Sequence, residues 1–305
     1  GVVTGGSNTL TLSTGDNVAN SDITASGNIS GVTTLTLADV GGTATLSGDV
    51  DVTTLTVGNT VANVDFNGNG SSFANAVSFA NDGTLELGGD ASGDTLTFNG
   101  GLTTTSVAGT VTLHGTIASS NDAVVLGAVT LGSATTVDTN ATSNAADITI
   151  AAITGGSNTL TLTTENNITG ADVTASGNIT GVTTLTLASV GGTATLSGDV
   201  DVTTLTVGNT VANVAFTGNG SSVANSFTPN NDGTFIFGAS GGTQTYNGGL
   251  NTASVDGTVT LNGTIATSDD TLTFGAVTLG SATTIDTNST TTNRADITIA
   301  AITGG

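Results

Sequence analysis

Large and reactive side chains are scarce in this sequence of 305 residues. Cysteine, methionine and tryptophan are absent, aromatic residues make up 3%, and there is one proline. Zero cysteines fit either a reducing compartment or an extracellular repeat protein that is stabilised by stacking of its repeats instead of disulfide bonds. With so few large rings, a globular core built on aromatic side chains is not expected.

Positive charge is almost missing. Arg294 is the single Lys or Arg beside 23 acidic residues, and the net charge is −22. A phosphate-binding surface needs Lys and Arg, so nucleic acid is excluded as a partner, and anionic membrane surfaces are disfavoured. Apolar runs fall short of the about 20 residues that span a bilayer, so membrane insertion is not expected. Together with the richness in Thr, Asn and Gly, this acidity predicts an extracellular or cell-surface location.

The sequence offers little support for helices. Lysine is absent and glutamate occurs only at Glu86 and Glu165, so i,i+4 Glu/Lys pairs cannot form. The remaining composition is typical of short strands joined by tight turns, since it consists mainly of Val, Ile, Leu, Thr, Ala, Gly, Asn, Ser and Asp. We therefore expect an all-β protein.

A long duplication organises the chain. Residues 31–64 recur at 181–214, 150 residues later, with Asp39 against Ser189 as the one difference. We interpret 1–153 as a first long repeat unit and 154–305 as a second, stacked continuously on the first. The motif Val-Thr-Gly-Gly or Ile-Thr-Gly-Gly occurs at 3–6, 153–156 and 302–305, which predicts two units of a longer array joined head-to-tail.

Each unit also contains a shorter repeat. Pairs of apolar residues separated by one polar residue recur about every 20 residues. In Thr-Leu-Thr-Leu a period of two places the leucines on one face of a strand. This pattern predicts an elongated, parallel β-helix-like β-solenoid with about 20 residues per coil; tandem β-sandwich domains are the alternative. The expected buried column comprises Leu10, Leu35, Leu37, Leu46, Leu55, Val57, Leu160, Leu185, Leu187, Leu196, Leu205 and Val207.

Three segments carry a family resemblance: Asn-Thr-Leu-Thr-Leu at 8–12, Ser-Gly-Asn-Ile-Ser-Gly-Val-Thr-Thr-Leu-Thr-Leu at 26–37 and Asn-Gly-Gly-Leu at 99–102. They resemble repeats of giant bacterial surface proteins, namely filamentous-haemagglutinin-like or autotransporter-like β-solenoid adhesins. The resemblance implies a structural extracellular protein that forms part of a surface fibre, sheath or adhesin stalk. The expected partners are copies of the chain, stacked head-to-tail as the phase of the repeat predicts, and glycans of a cell surface or matrix.

Residues for catalysis are few, so we expect no enzyme. His114 is the single histidine, Asn262 holds the matching place in the second unit, and we expect a structural histidine on the outward or turn side after Leu113. Arg294 is expected in a surface pair or against a neighbouring chain. A polysaccharide-acting solenoid enzyme, which needs paired carboxylates, is one alternative. An ice-binding protein with outward threonine rows is the other, although the coil lengths vary too much for a flat array.

One acidic pattern suits a metal ion. Asp49 and Asp51 alternate with Val50 and Val52, which predicts that both carboxylates face outward on one strand, and the pattern recurs at Asp199 and Asp201. Oxygen ligands of this kind suit calcium, although two carboxylates alone bind it weakly. Calcium at these four residues is the one cofactor that the sequence indicates. The segment 88–94 partly resembles a calcium-binding nonapeptide but is interpreted as a plain turn.

Overall fold

The computed structural model describes residues 1–15, 18–89, 93–165, 167–290 and 294–304. Within these ranges all regular structure is β, and there is no helix that could cross a bilayer. The chain divides into two compact units, Gly1–Ala151 and Ala152–Gly305. The division falls within strand β14 (Ile148–Thr154).

Both units consist of strands that range from two to 18 residues in length. Those before the division are β1 (Val3–Ser13), β2 (Ile23–Ala25), β3 (Ile29–Ala38), β4 (Thr43–Leu46), β5 (Val50–Val57), β6 (Asn63–Phe66), β7 (Ser72–Phe73), β8 (Val77–Ser78), β9 (Leu85–Leu87), β10 (Thr95–Phe98), β11 (Leu102–Thr103), β12 (Val111–Ser119) and β13 (Val124–Asp138). Those after it are β15 (Thr159–Thr163), β16 (Val173–Ala175), β17 (Ile179–Leu196), β18 (Val200–Phe216), β19 (Ser222–Val223), β20 (Phe235–Phe237), β21 (Thr243–Tyr246), β22 (Leu250–Asn251), β23 (Val259–Ala266), β24 (Leu272–Asp286) and β25 (Ile297–Gly304).

Each unit is a parallel β-solenoid. A strand pairs in parallel with the strand one turn further along the chain, as in the ladder that joins Leu10 to Leu35 and Leu35 to Leu55. The described residues form about 14 turns of roughly 21 residues each. The structure thus confirms the predicted β-solenoid. The sandwich alternative is wrong, because sandwich sheets are antiparallel whereas these ladders are parallel.

The core follows the period of two. In β4 and β5 the buried residues alternate with more exposed ones, except that two threonines separate Val52 from Leu55, and Ala44, Leu46, Val50, Val52 and Leu55 face inward. The predicted aliphatic column is buried as expected, with one exception. Leu10 is only half-buried, whereas its repeat equivalent Leu160 is buried.

Nine of the ten aromatic rings gather in one cluster in each unit, and Phe274 is the exception. The first unit contains Phe66, Phe73, Phe79 and Phe98, and the second contains Phe216, Phe227, Phe235, Phe237 and Tyr246. Phe73 and Phe98 stack with ring centroids 4.9 Å apart. The rings are few, but the stacking of turns places them next to each other. They therefore still contribute to the core.

Polar side chains tie successive turns together at their corners. Oδ1 atoms of Asp22, Asp49 and Asn63 accept hydrogen bonds from the backbone N–H of Thr43, Gly70 and Thr84 at 2.8, 2.9 and 2.9 Å. The second unit repeats this with Asp172, Asp199 and Asn213, which accept from Thr193, Gly220 and Thr234. In every case acceptor and donor are 21 residues apart, which is one turn of the solenoid.

Candidate functional site

Asp49 and Asp199 lie at the last position before a strand, and their carboxylates already have structural partners. Asp49 Oδ1 accepts from Gly70 N–H, and the backbone N–H of Asp49 donates to Asn28 Oδ1 at 3.1 Å. Asp199 does the same with Gly220 at 2.7 Å and with Asn178 at 3.0 Å. These two residues therefore hold neighbouring turns in register.

Asp51 and Asp201 lie on β5 and β18 and face outward. Partial burial raises the pKa of Asp51, repulsion from Asp49 raises it further, and a hydrogen bond from the backbone N–H of Ser72 partly offsets both effects. The pKa of Asp201 is raised in the same way, first by burial and then by Asp199. The structure thus brings together the two carboxylates of each predicted pair.

The calcium assignment of these four residues stays a prediction. Over the ranges that the structure describes, no three His, Cys, Asp or Glu side chains form a group that could hold a metal ion. Each pair offers two carboxylates, and both of them already accept a backbone hydrogen bond. A calcium ion would need further oxygen ligands from backbone carbonyls and water.

An open groove lies beside Asp51. It has a volume of about 470 Å³ and is lined by Ser7, Gly31, Val32, Thr33, Asp51, Val52, Thr53, Ser72 and Ala74. The second unit has a groove of about 270 Å³ at the equivalent place, lined by Ser157, Gly181, Val182, Thr183, Asp201, Val202, Thr203 and Ser222. We refer to these two features as the Asp51 groove and the Asp201 groove.

A backbone irregularity lies in the lining of each groove. In the ladder between β3 and β5, Ser30 pairs with Asp51 and Val32 pairs with Val52, so Gly31 is an extra, bulged residue. Gly31 has a φ of 66°, a left-handed conformation that glycine adopts without steric penalty. Gly181 repeats this with a φ of 68°. Gly31 and Gly181 are themselves lining residues, so each bulge lies in the wall of its groove.

The sequence interpretation missed the groove, although a signal is present. Apolar residues in this segment are Ile29, Val32, Leu35 and Leu37. The first two spacings are three residues, whereas an unbroken strand requires two. A glycine at such an interruption indicates a bulge.

His114 is buried, but its contact Glu86 lies between the inward-facing Leu85 and Leu87, as expected for a side chain on the predicted outward side. Its Nε2 lies 3.3 Å from Glu86 Oε1, and its Nδ1 has no hydrogen-bond partner. The ring has space beside Gly132, which has no side chain; a Cβ there would overlap the imidazole. The second unit has Ile236 and Asn262 at the positions of Glu86 and His114, so the pair is confined to the first unit.

Two other predicted features contribute no site. Arg294 is exposed. In the segment 88–94, the structure describes the start of the turn at Gly88 and Gly89. The backbone N–H of Gly89 donates to Asp94 Oδ2 at 2.8 Å. Residues 90–92, with Asp90 of the nonapeptide-like pattern, lie outside the described residues.

No protein-family model, curated protein or solved structure matches this chain.

Proposed function

We propose that this chain is a non-catalytic, structural extracellular protein that forms part of a surface fibre, sheath or adhesin stalk by head-to-tail β-stacking of its coils. The observation that carries the proposal is a difference in burial between repeat-equivalent residues. Val3 is 37% exposed, whereas the equivalent Ile153 is 1% exposed.

Apolar side chains of residues 3–23 are more exposed than their equivalents in the second unit. Leu10, Leu12 and Ile23 are half-buried, whereas Leu160, Leu162 and Val173 of the second unit are buried. A recess of about 270 Å³ lies here, lined by Gly1, Val3, Leu10, Leu12, Ile23, Thr24, Ala25, Ser26 and Ile29. A side chain that is buried in one copy of a repeat and exposed in the other is suited to be covered by a further coil.

Strand β25 likewise exposes apolar side chains whose repeat equivalents are buried. Ile297 and Ile302 of β25 are 45% and 54% exposed, whereas the equivalent Ile148 and Ile153 are buried. β25 pairs in parallel with β24 along one edge. An apolar strand edge of this kind is a template for another strand.

Contact between the first turn of one copy and β25 of another joins two different surfaces. Such a heterologous contact does not close on itself, and it therefore propagates into a filament. The same contact would form within a longer polypeptide that continues the repeat.

The extracellular, adhesin-like setting rests on the sequence. The segments that resemble filamentous-haemagglutinin-like and autotransporter-like adhesins lie on β-solenoid turns here, as in a β-helix repeat protein. The net charge of −22 supports a role outside the cell, without nucleic acid as a partner.

Self-association tests this proposal. Sedimentation velocity at rising protein concentration, in low and high salt, should show oligomers, and electron microscopy should show filaments. Leu10→Asp and Ile302→Asp should each reduce assembly strongly because they bury a charge in the contact. Thr56→Asp, which adds the same charge at an outward-facing exposed position of β5, should assemble like the parent. Monomers at every concentration, or equal assembly of all variants, would contradict the proposal.

A further inference from the structure

The Asp51 groove is built from four successive turns. Ser7 comes from β1, Gly31–Thr33 from β3, Asp51–Thr53 from β5, Ser72 from β7, and Ala74 from the position after β7. The strands run across the groove, so the groove follows the direction of stacking. An extended ligand lying in it would meet equivalent groups at intervals of about 4.8 Å, the spacing of neighbouring strands.

The lining combines hydroxyl groups, one carboxylate and small apolar surfaces. The hydroxyls belong to Ser7, Thr33, Thr53 and Ser72, and Val32 and Val52 form the floor. A hydroxyl both donates and accepts, whereas an ionised carboxylate accepts only, at up to about four sites. This set matches a ligand that presents many hydroxyl groups and short C–H surfaces.

Internal hydrogen bonds leave part of this capacity free. The Asp51 carboxylate receives one bond from the backbone N–H of Ser72, so it retains lone pairs for a ligand. Asn99 Nδ2 donates to Ser72 Oγ at 3.0 Å, so the hydroxyl hydrogen of Ser72 can be donated elsewhere. Asn247 holds Ser222 in the same way at 3.2 Å in the second unit.

Charge narrows the class of ligand. The net charge of −22 repels acidic polymers, and no Lys or Arg lines either groove. A metal ion is poorly served, because Asp51 is the only carboxylate among the lining residues. Sugar hydroxyls need no charge partner and donate well to a carboxylate.

We propose that the Asp51 groove and the Asp201 groove each bind a neutral glycan chain across successive turns, with the aspartate accepting hydrogen bonds from sugar hydroxyls. The first groove lies within the range of about 300–1,000 Å³ that is usual for ligand sites, and the second lies just below it. Binding without cleavage follows because glycoside hydrolysis uses two carboxylates and each groove has one. The proposal deepens the adhesin role proposed above and rests on it for its biological setting.

A glycan array followed by calorimetry tests the proposal. The array carries neutral, acidic and amino-sugar glycans, and the best neutral oligosaccharide is then titrated into the intact chain. We expect neutral glycans to bind, with two sites per chain. Asp51→Asn alone and Asp201→Asn alone should each weaken one site about tenfold to a hundredfold, and the double variant should lose both.

Matched controls keep the outcome clear. Asp82→Asn with Asp232→Asn changes the charge equally at exposed, repeat-equivalent positions outside the grooves and should bind like the parent. Thr53→Leu with Thr203→Leu narrows both grooves without changing charge and should weaken binding.

Three results would overturn the glycan proposal: no neutral glycan bound, selective binding of acidic or amino-sugar glycans, or unchanged binding in the Asp51/Asp201 double variant. Sedimentation of the same variants distinguishes the two proposals. Normal assembly without glycan binding refutes only the groove assignment, whereas glycan binding by a permanent monomer refutes only the fibre.

Discussion

A buried polar pair in the second unit provides a precise energetic test. Tyr246 Oη donates to Gln244 Oε1 at 3.0 Å, and Gln244 Nε2 donates to the carbonyl oxygen of Phe216 at 3.0 Å. Both side chains are buried. The first unit has Leu96 and Phe98 at these positions, so the repeat itself supplies an apolar replacement.

Each single substitution should destabilise the protein, and the double substitution should not. Tyr246→Phe leaves Gln244 Oε1 buried without a donor, and Gln244→Leu leaves the Tyr246 hydroxyl without an acceptor; each costs about 1–3 kcal/mol. The double variant removes both polar groups. Phe216 keeps a partner in it, because Gly238 N–H donates to the same carbonyl at 2.7 Å. We therefore expect it to be within about 1 kcal/mol of the parent, with a coupling of about 2 kcal/mol.

Equilibrium unfolding in guanidinium chloride, followed by far-ultraviolet circular dichroism, measures these free energies. Unchanged m-values in all four proteins would show that the same surface is exposed on unfolding. As a reciprocal control, Leu96→Gln should cost more alone than together with Phe98→Tyr. A double variant as unstable as the sum of the single variants, or a neutral Tyr246→Phe, would refute the reasoning.

Corner hydrogen bonds, acid titration and salt provide three further tests. Asn63→Ala and Asn213→Ala should each lower the free energy of unfolding in guanidinium by about 1 kcal/mol, whereas Asn→Asp at either position keeps the acceptor and should cost less. The pKa values of Asp51, Asp65 and Asp201 are raised above 3.8 in the folded chain. The folded state therefore binds more protons than the unfolded state in this pH range. The melting temperature should fall as the pH rises from 3.8 through the raised pKa values. Replacing all three with Asn should flatten that slope, and an unchanged slope would contradict it. Sodium chloride should raise the melting temperature because it screens repulsion between the acidic side chains: the Debye length falls from about 30 Å at 0.01 M to about 8 Å at 0.15 M. Calcium at equal ionic strength should raise the melting temperature further, and a chelator should reverse that increase. Equal melting temperatures in all buffers would contradict both expectations.

The fold could be predicted because it depends on local, repeated patterns. Thr-Leu-Thr-Leu places Leu35 and Leu37 on one face whatever the neighbouring chain does, and the recurrence of such pairs sets the turn length. The exposure of Leu10 could not be predicted in this way, because Leu160 has the same local sequence and is buried. Burial depends on what stacks on a turn, which the turn's own sequence does not record.

The candidate site was only partly accessible from sequence. Asp51 and Asp201 were identified as outward-facing acids, but the groove beside them depends on the bulge at Gly31 and on residues drawn from four turns. The environment of His114 was missed for a related reason. Its contacts, Glu86 and the space above Gly132, lie 28 and 18 residues away along the chain.

The corner bonds between residues 21 positions apart restrict how such a chain changes during evolution. An insertion of a few residues between Asp49 and Gly70 would move the donor away from its acceptor, and a deletion would do the same. Gain or loss of one whole turn preserves every acceptor–donor pair on either side. The gene encoding this protein should therefore tolerate unequal recombination in steps of complete coils, and engineered variants of different length should be obtainable by the same rule.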